Sequence, residues 1–364
     1  MDNPPKRVTI REVAEAAGVS PAAVSYALRG INVSGETEVR VRRIAEELGY
    51  EANPIARALA SGRTRMVGIL GLSLEDLSQQ RFVAEAGRAL LAEDRFALIL
   101  DAGGDASRQR SLAAQLHDQH VDGLILSPVD PTDSFWPELA SMLAIVSIGD
   151  ALAGGAAGEV LFDNRSGVRV ALEHLHGLGH ERVAVLLPPG SPTSDRPAEQ
   201  IVVEEAARLE FDVEALSAPY ELEAATEAAR RVLSGPHRPT ATFCFSDSIA
   251  HGVYAAAGEL GLAIPDELSV IGYDDHPVST LLGPPLTSFD WDAERVVAVA
   301  VGMLLAAIEG RARRPRRMVV EPSIRRRGST ATCPSRIRTL AAHAARSERA
   351  SPDPAERPPP PKHT

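Results

Sequence analysis

Residues 8–28 read VTIREVAEAAGVSPAAVSYAL, and two short helices joined by a tight link can be traced through them. Thr9 is an N-cap with Glu12 three residues on, as in a capping box, and Ile10, Val13, Ala14 and Ala17 make one apolar stripe. Gly18 stops that helix, because glycine tolerates the positive φ of a helix C-terminus. Ser20 and Pro21 then open a second helix as N-cap and first-turn proline. Its apolar side is Ala23, Val24, Ala27 and Leu28, which leaves Pro21, Ala22, Ser25, Tyr26 and Arg29 on or near the free side. This is a helix-turn-helix pattern, in which the second helix enters the DNA major groove by its N-terminal end. Ordinary helical cores also contain such pairs, so the residues that follow matter.

A third helix is expected over Val33 to Leu48, capped by Ser34, with Val39, Val41, Ile44, Ala45 and Leu48 closing a three-helix core. Residues 53–62, NPIARALASG, then carry an asparagine cap, a proline start and a glycine stop around a very short helix. A helix of that length is marginal alone in water, where roughly 12 to 15 residues are needed, so it forms only when supported.

Charge separates the chain into regions. The whole carries -11, but residues 1–65 hold ten basic and eight acidic residues and residues 329–364 hold six and three, which leaves -16 in the middle. An acidic body is repelled by DNA, so the weakly basic head must make the phosphate contacts, with strong salt dependence. Lysine occurs only at Lys6 and Lys362 among 38 basic residues, which points to a GC-rich genome rather than to chemistry.

At 364 residues a head plus a larger body is expected. The sequence shows no N-terminal apolar stretch suited to a signal peptide and no run near the ~20 residues of a membrane span, which leads us to expect a cytoplasmic protein without membrane contact. Cys244 and Cys333 fit a reducing compartment and form no metal-ligand cluster.

From Met66 onward strands and helices alternate. Met66 to Leu70, Phe96 to Leu100, Gly123 to Leu126 and Ala144 to Ile148 are short apolar runs, separated by helical stretches at Arg81 to Glu93, Ser107 to Gln119 and Pro137 to Met142. The rhythm resumes with helix Ser166 to Leu178, strand Arg182 to Leu187, helices Glu199 to Leu209 and Leu222 to Leu233, strand Ala241 to Cys244, helix Ser248 to Leu260 and strand Ser269 to Tyr273. That order predicts two doubly wound parallel sheets. Ligands of such sheets bind beyond the carboxyl ends of the strands. Asp274, Ser246 and Ser73 stand at such ends and are candidate ligand residues; a turn-capping role for Asp274 is the alternative, and Asp247 is expected to cap the helix that begins there.

The segments VAEAAGVS, AVSYAL, EELGYEANPIARALASG, DNRSG, GLGHERVAV, FSDSIAHG, LGLAIPDELSVIGYDD and PPLTS, in order between about Val8 and Ser329, resemble the LacI/GalR (lactose repressor) family of bacterial transcription regulators. The resemblance implies an all-α helix-turn-helix head (1–52), a hinge helix and linker (53–65) and an α/β periplasmic-binding-protein-like body (66–328). The body's first half would comprise 66–162 and 290–318 and its second half 163–289 and 319–328, with an unstructured arm over 329–364. Three chain crossings are expected, near Phe162, Phe289 and Met318, with Asp292 to Glu309 as a late helix of the first half.

The resemblance also implies roles. Pro21, Ala22 and Tyr26 match recognition-helix positions that read base edges. Proline and alanine offer no donors or acceptors, so Tyr26 must supply the polar readout and Ala22 a methyl contact to thymine, unless Tyr26 simply packs on the third helix. Thr9, Ser20, Ser25 and Asn32 are candidate DNA contacts, the phosphates being the target of Thr9, Ser25 and Asn32. Leu59 would wedge into the minor groove with Ala56 allowing close approach, its plain alternative being a linker residue on its own body. Arg196 matches an arginine directed into the ligand cleft, although the glycine usual shortly after it is missing. Phe162 and Phe289, at predicted crossings, present rings either to a ligand or to the core. Where the family shows an Asn-Pro-Phe-Phe-like segment this chain has LSLEDLSQQRF, residues 72–82, so the first-half wall of the pocket is unusual.

The resulting expectation is a repressor, homodimeric on a palindromic operator in double-stranded DNA, controlled by a small-molecule effector of sugar or nucleoside type. No cofactor is expected. His174, His176 and His180 look like a metal cluster, but Gly177 and Gly179 mark a helix end, where polar or cationic histidine is expected, and no phosphate loop or nucleophile elbow appears, so neither a metal nor an enzyme is expected. The second reading is a transport-type sugar receptor, against which the missing signal peptide and the head both speak.

Overall fold

The computed structural model of the chain describes residues 8–28, 30–50, 62–189, 198–210, 212–235, 237–312 and 314–333. It divides into two compact units, Met1–Arg65 and Met66–Thr364.

The small unit holds three helices, α1 (Ile10–Ala17), α2 (Pro21–Leu28) and α3 (Gly35–Glu47). At the start of α1 the capping box closes in both directions: the Glu12 amide donates to Thr9 Oγ1 at 3.4 Å and the Thr9 amide to Glu12 Oε2 at 2.6 Å. Gly18 ends α1 at φ 64°, and its amide bonds back into the last turn. Ser20 Oγ accepts from the Ala23 amide at 3.1 Å, so α2 begins as soon as the turn is complete. Val13, Ala14, Ala17, Val24, Ala27, Val41, Ile44 and Ala45 close the core. Val39, expected inside, is 70% exposed, because at helical spacing Val41, Ile44 and Ala45 already fill the inward face and residue 39 lies away from it.

The large unit contains two parallel sheets. The first has six strands in the order β11-β5-β4-β3-β1-β2, namely β1 (Met66–Gly71), β2 (Phe96–Asp101), β3 (Gly123–Leu126), β4 (Ala144–Gly149), β5 (Gly158–Phe162) and β11 (Arg316–Val320). Helices α4 (Leu77–Ala92) and α11 (Ala293–Ile308) cover one face through Phe82, Val83, Leu90, Val296, Val297 and Leu304. Helices α5 (Ala106–Asp118) and α6 (Phe135–Met142) cover the other through Ala113, Leu116, Trp136 and Leu139. The second sheet, β7-β6-β8-β9, is built from β6 (Arg182–Leu187), β7 (Asp212–Ser217), β8 (Ala241–Cys244) and β9 (Ser269–Ile271). It is sandwiched by α7 (Asn164–Gly177) and α8 (Ala198–Arg208) on one side and α9 (Leu222–Leu233) and α10 (Asp247–Leu260) on the other. Each fully buried valine or leucine in these layers contributes about 1.5–3 kcal/mol through removal from water.

The chain passes between the sheets after β5, after β10 (Ser288–Asp290) and after β11. β10 pairs antiparallel with β12 (Ser323–Arg325), a two-stranded strap beside the second sheet. The sequence reading missed β5 and β7. In β7 the burial alternates, with Asp212 and Glu214 outward, so no continuous apolar run marks it. Residues 329–333, expected to start an unstructured arm, are instead packed. The Val270 amide donates to the Ser329 carbonyl at 2.8 Å, and the Cys333 amide to the Leu178 carbonyl at 2.9 Å. The first bond satisfies a donor on the free edge of β9 and the second a carbonyl at the C-terminal end of helix Asn164–Gly177, which is the physical reason the segment stays with the body.

Candidate functional site

A cleft of about 910 Å³ lies between the two halves of the large unit. Its position follows from topology. Leu72 after β1, Ser127 after β3, Asp150 after β4, Phe162 ending β5, Leu187 ending β6, Ser217 ending β7, Phe245 after β8 and Tyr273 after β9 all line it. Each stands at or just beyond the carboxyl end of its strand, where ligands of parallel sheets bind.

One wall is aromatic. Phe162 lies 6.0 Å from Phe82 and 4.7 Å from Trp291, ring centre to ring centre, and Trp291 lies 5.1 Å from Tyr273. Trp291 is locked by its indole N–H, which donates to the Tyr273 carbonyl at 2.6 Å. The lining also carries acids from both halves, Asp76 and Asp274. Asp274 is half-buried, and the amide of Asp247 at the start of α10 donates to its Oδ2 at 2.8 Å. Desolvation pushes its carboxyl well above the usual range, and the negative charges of Asp76 and Asp247 push the same way. Asp76 caps α4 and is raised too, chiefly by burial.

Of the residues proposed from sequence as ligand contacts, Asp274 and Phe162 line the cleft. Ser246, Ser73 and Phe289 do not. Ser246 is buried as the N-cap of α10, its hydroxyl donating to Asp76 Oδ1 at 2.8 Å. Ser73 accepts the Glu75 amide at 3.3 Å within its own turn. Phe289 is fully buried among Phe243 and Tyr273, so its ring belongs to the core. Arg196 lies outside the described residues. Asp247 was expected to cap α10, but Ser246 does so. The Asp247 carboxylate instead accepts the amides of Tyr273 at 2.9 Å and His276 at 2.9 Å and the Ser279 hydroxyl at 2.7 Å, holding the loop that presents Asp274.

Asp76, Phe82, Asn164, Tyr220, Phe245 and Trp291 also line the cleft and went unread. Trp291 had a signal, since it is one of two tryptophans and follows a predicted crossing. Asp76 had one as well, an acid with Gln79 three residues later at the head of a helix.

In the small unit Pro21 and Ala22 are exposed at the start of α2, and Tyr26 one turn later is 40% exposed. Ser20 and Thr9 use their hydroxyls in helix caps. Asn32 is exposed, with a backbone φ of 53°. Ala56 and Leu59 fall outside the described residues. His174 and His180 bond to Thr330 and to Thr240, Ser269 and Ala331, and among the described residues no cluster is arranged to hold a metal.

Comparison with known proteins places both units. Residues 9–53 match the family described as bacterial regulatory proteins, lacI family, and residues 172–330 match a periplasmic binding protein-like domain. The chain is 30% identical over 345 residues to the HTH-type transcriptional repressor PurR of Shigella sonnei, covering 90% of this chain and 98% of that one. It is 29% identical over 322 residues to the ribose operon repressor of Haemophilus influenzae, covering 86% and 96%. Among solved structures, the lac repressor dimer bound to operator and the anti-inducer ONPF superposes with a TM-score of 0.78 at 25% identity, covering 90% of this chain and 100% of that chain. A complex of the transcriptional regulator CelR with cellobiose gives 0.63 at 25% identity, covering 89% and 100%.

Proposed function

The chain belongs to the lacI family of bacterial regulatory proteins, and from that premise we propose that it represses transcription as a homodimer whose operator affinity is set by a sugar or nucleoside bound between the halves of its body. The observation that carries this is the cleft, lined by aromatic rings and by Asp274, at the convergence of strand ends from both halves. Rings cover the apolar faces of a sugar or base, and a half-buried carboxylate accepts from its hydroxyls. A cavity of this size suits a small metabolite.

DNA reading falls to α2, whose free N-terminal face offers Pro21, Ala22 and Tyr26 to base edges. The polar part of that readout rests on Tyr26. Residues 53–62 serve as the hinge, with Leu59 as its minor-groove wedge, and ligand-driven movement of the two halves shifts the support for that short helix. Coupling of about 1 to 3 kcal/mol changes operator affinity roughly 5- to 150-fold. Dimer formation is supported by β2, an edge strand with Phe96 and Ile99 exposed beside the exposed Leu91. Among the described residues no helix is long and apolar enough to cross a membrane. We place the protein in the cytoplasm, with its DNA, and assign it no catalysis.

The test is a thermal-shift screen of the purified protein against sugars, polyols and nucleosides, followed by operator selection with and without each hit. A compound that stabilises the body and shifts operator affinity at least fivefold is expected. If compounds bind and none alters DNA affinity, the proposed linkage fails.

A further inference from the structure

The body is acidic, -16 over residues 66–328, yet residues 309–317 read EGRARRPRR and hold five arginines against one glutamate. The run links the end of α11 to β11, the edge strand of the first sheet. Arg311, Arg314, Arg316 and Arg317 are exposed, and Arg313 lies outside the described residues.

Contacts across the amino end of that sheet fix where the run lies. β1, β3, β4, β5 and β11 are all parallel, so the start of β11 and the start of β1 share one end. The Asp122 amide donates to the Met66 carbonyl at 2.7 Å, and the Asp122 carboxylate pairs with Arg95 at 3.0 Å. Arg95 pairs in turn with Glu309 at 3.7 Å, and Glu309 with Arg311. A chain of direct contacts therefore connects the first residue of β1, where the polypeptide arrives from the head, to the arginine run.

The needs of the fold account for only part of this charge. Glu309 takes Arg311, and Glu159 takes Arg317 at 2.7 Å. Arg316, on an edge strand, also discourages pairing with another chain. Arg314 precedes the strand, and neither it nor Arg316 pairs with a carboxylate among the described residues. Crowded like charges repel one another, a cost that a polyanion removes.

We propose that Arg314 and Arg316 hold the DNA backbone beside the operator, outside the stretch read by the heads, through phosphate contacts that carry no sequence preference. The inference rests on the head binding DNA. Residues 53–65, which join the head to β1, span at most about 45 Å when fully extended. Bound DNA is thereby kept near the run at high effective concentration. The duplex continues past each half-site with about one charge per 1.7 Å of axis, and a guanidinium fork matches phosphate geometry. Elsewhere the acidic body repels that duplex; here it attracts it.

The full-length protein is titrated, over a series of salt concentrations, onto two duplexes: the bare selected operator, and the same operator extended by about one helical turn, roughly ten base pairs, on each side. Wild type is expected to bind the extended duplex more tightly, with a steeper fall of log affinity against log salt. Arg314→Ser combined with Arg316→Ser removes two contacts from each protomer of a dimer, so that slope should become shallower by about 2 to 4. The preference for the longer duplex should vanish, while the bare operator is bound as by wild type, which also shows head and dimer to be intact. Arg314→Lys with Arg316→Lys should restore the slope. Arg182→Ser with Arg231→Ser removes two exposed arginines of the second half and should leave it unchanged. Equal affinity of wild type for the two duplexes overturns the proposal. An unchanged slope in the Arg314 and Arg316 serine variant, an equal loss on both duplexes, or the same change in the second-half pair overturns it too. A wild-type protein that binds not even the bare operator refutes the head's role, and this contact with it.

Discussion

The amide of Asp247 donates to Oδ2 of Asp274 at 2.8 Å, so the first turn of α10 holds the carboxylate that faces the cleft. Two effects coincide there. The bond satisfies an amide that the helix leaves without a partner, and the positive end of the helix dipole favours negative charge at that point. Asp247 in turn receives the loop that carries Asp274, through the amides of Tyr273, Asp274 and His276 and the hydroxyls of Ser279 and Ser288. The site is thus built on a buried carboxylate that never touches the cavity.

Replacing Asp247 by alanine leaves those donors buried and unpaired. A loss of about 3–5 kcal/mol is expected, as for other broken buried charged networks. Urea denaturation of the full chain measures it, and a loss below about 1 kcal/mol would show that water replaces the carboxylate.

Gly272 is held close under the same carboxylate, where an added Cβ would lie 2.1 Å from Asp247 Oδ1 and 2.8 Å from Leu286 Cδ2. Gly272→Ala must therefore displace the loop or the helix. We expect about 1–3 kcal/mol of destabilisation by overpacking, with ligand affinity reduced alongside, both read in one thermal-shift titration.

Acid should loosen the packed segment at residues 329–333. Burial holds His174 down to about 4 from an ordinary 6.5, helped by the charges of Arg326 and His180, and burial lowers His180 as well. The unfolded chain takes up protons below about 6.5 while the folded one resists, so this contribution is complete above that value and shrinks as pH falls towards about 4. Melting temperature against pH should show the decline, and His174→Gln should flatten it.

Ser248→Ala removes a cross-half contact while keeping the side-chain caps of α4 and α10, which come from Asp76 and Ser246. Amide exchange in residues 74–82 should then speed up severalfold, because the Leu77 amide loses its acceptor in the other half. Unchanged exchange would mean that the halves are held together elsewhere.

In the head, Tyr26→Phe should relax base preference at a single operator position by about 1–3 kcal/mol, roughly 5- to 150-fold in relative affinity. Ser20→Ala should act differently, costing about 1 kcal/mol of head stability through loss of the α2 cap, with no change in preferred sequence. Operator selection and thermal denaturation of the two variants separate these effects.

Short-range physics made much of this legible in advance. Thr9, Glu12, Gly18 and Ser20 each act on a partner within four residues, so their caps and turn were readable, and the apolar runs of β1, β3, β6 and β8 announced buried parallel strands. Asp274 could be proposed for the cleft because a strand end is a local feature. Asp76 went unread, and Phe289 stayed open between ligand and core, for the opposite reason. Whether an acid beside a helix start faces solvent or a cleft, and whether a ring at a crossing faces a ligand or a core, depends on partners brought in from other elements: Ser246 lies 170 residues from Asp76, and Phe289 packs on Phe243 and Tyr273 of other segments.

The division between sequence and structure therefore follows range. The sequence by itself determined the three-helix head, the parallel α/β order of the body and the family, because periodicity, capping and turn chemistry act between near neighbours. Only the tertiary structure decided which acids face the cleft, which serines tie its halves and that Asp247 supports the site from beneath, because those outcomes depend on desolvation and on hydrogen bonds that exist only once the two sheets stand opposite each other.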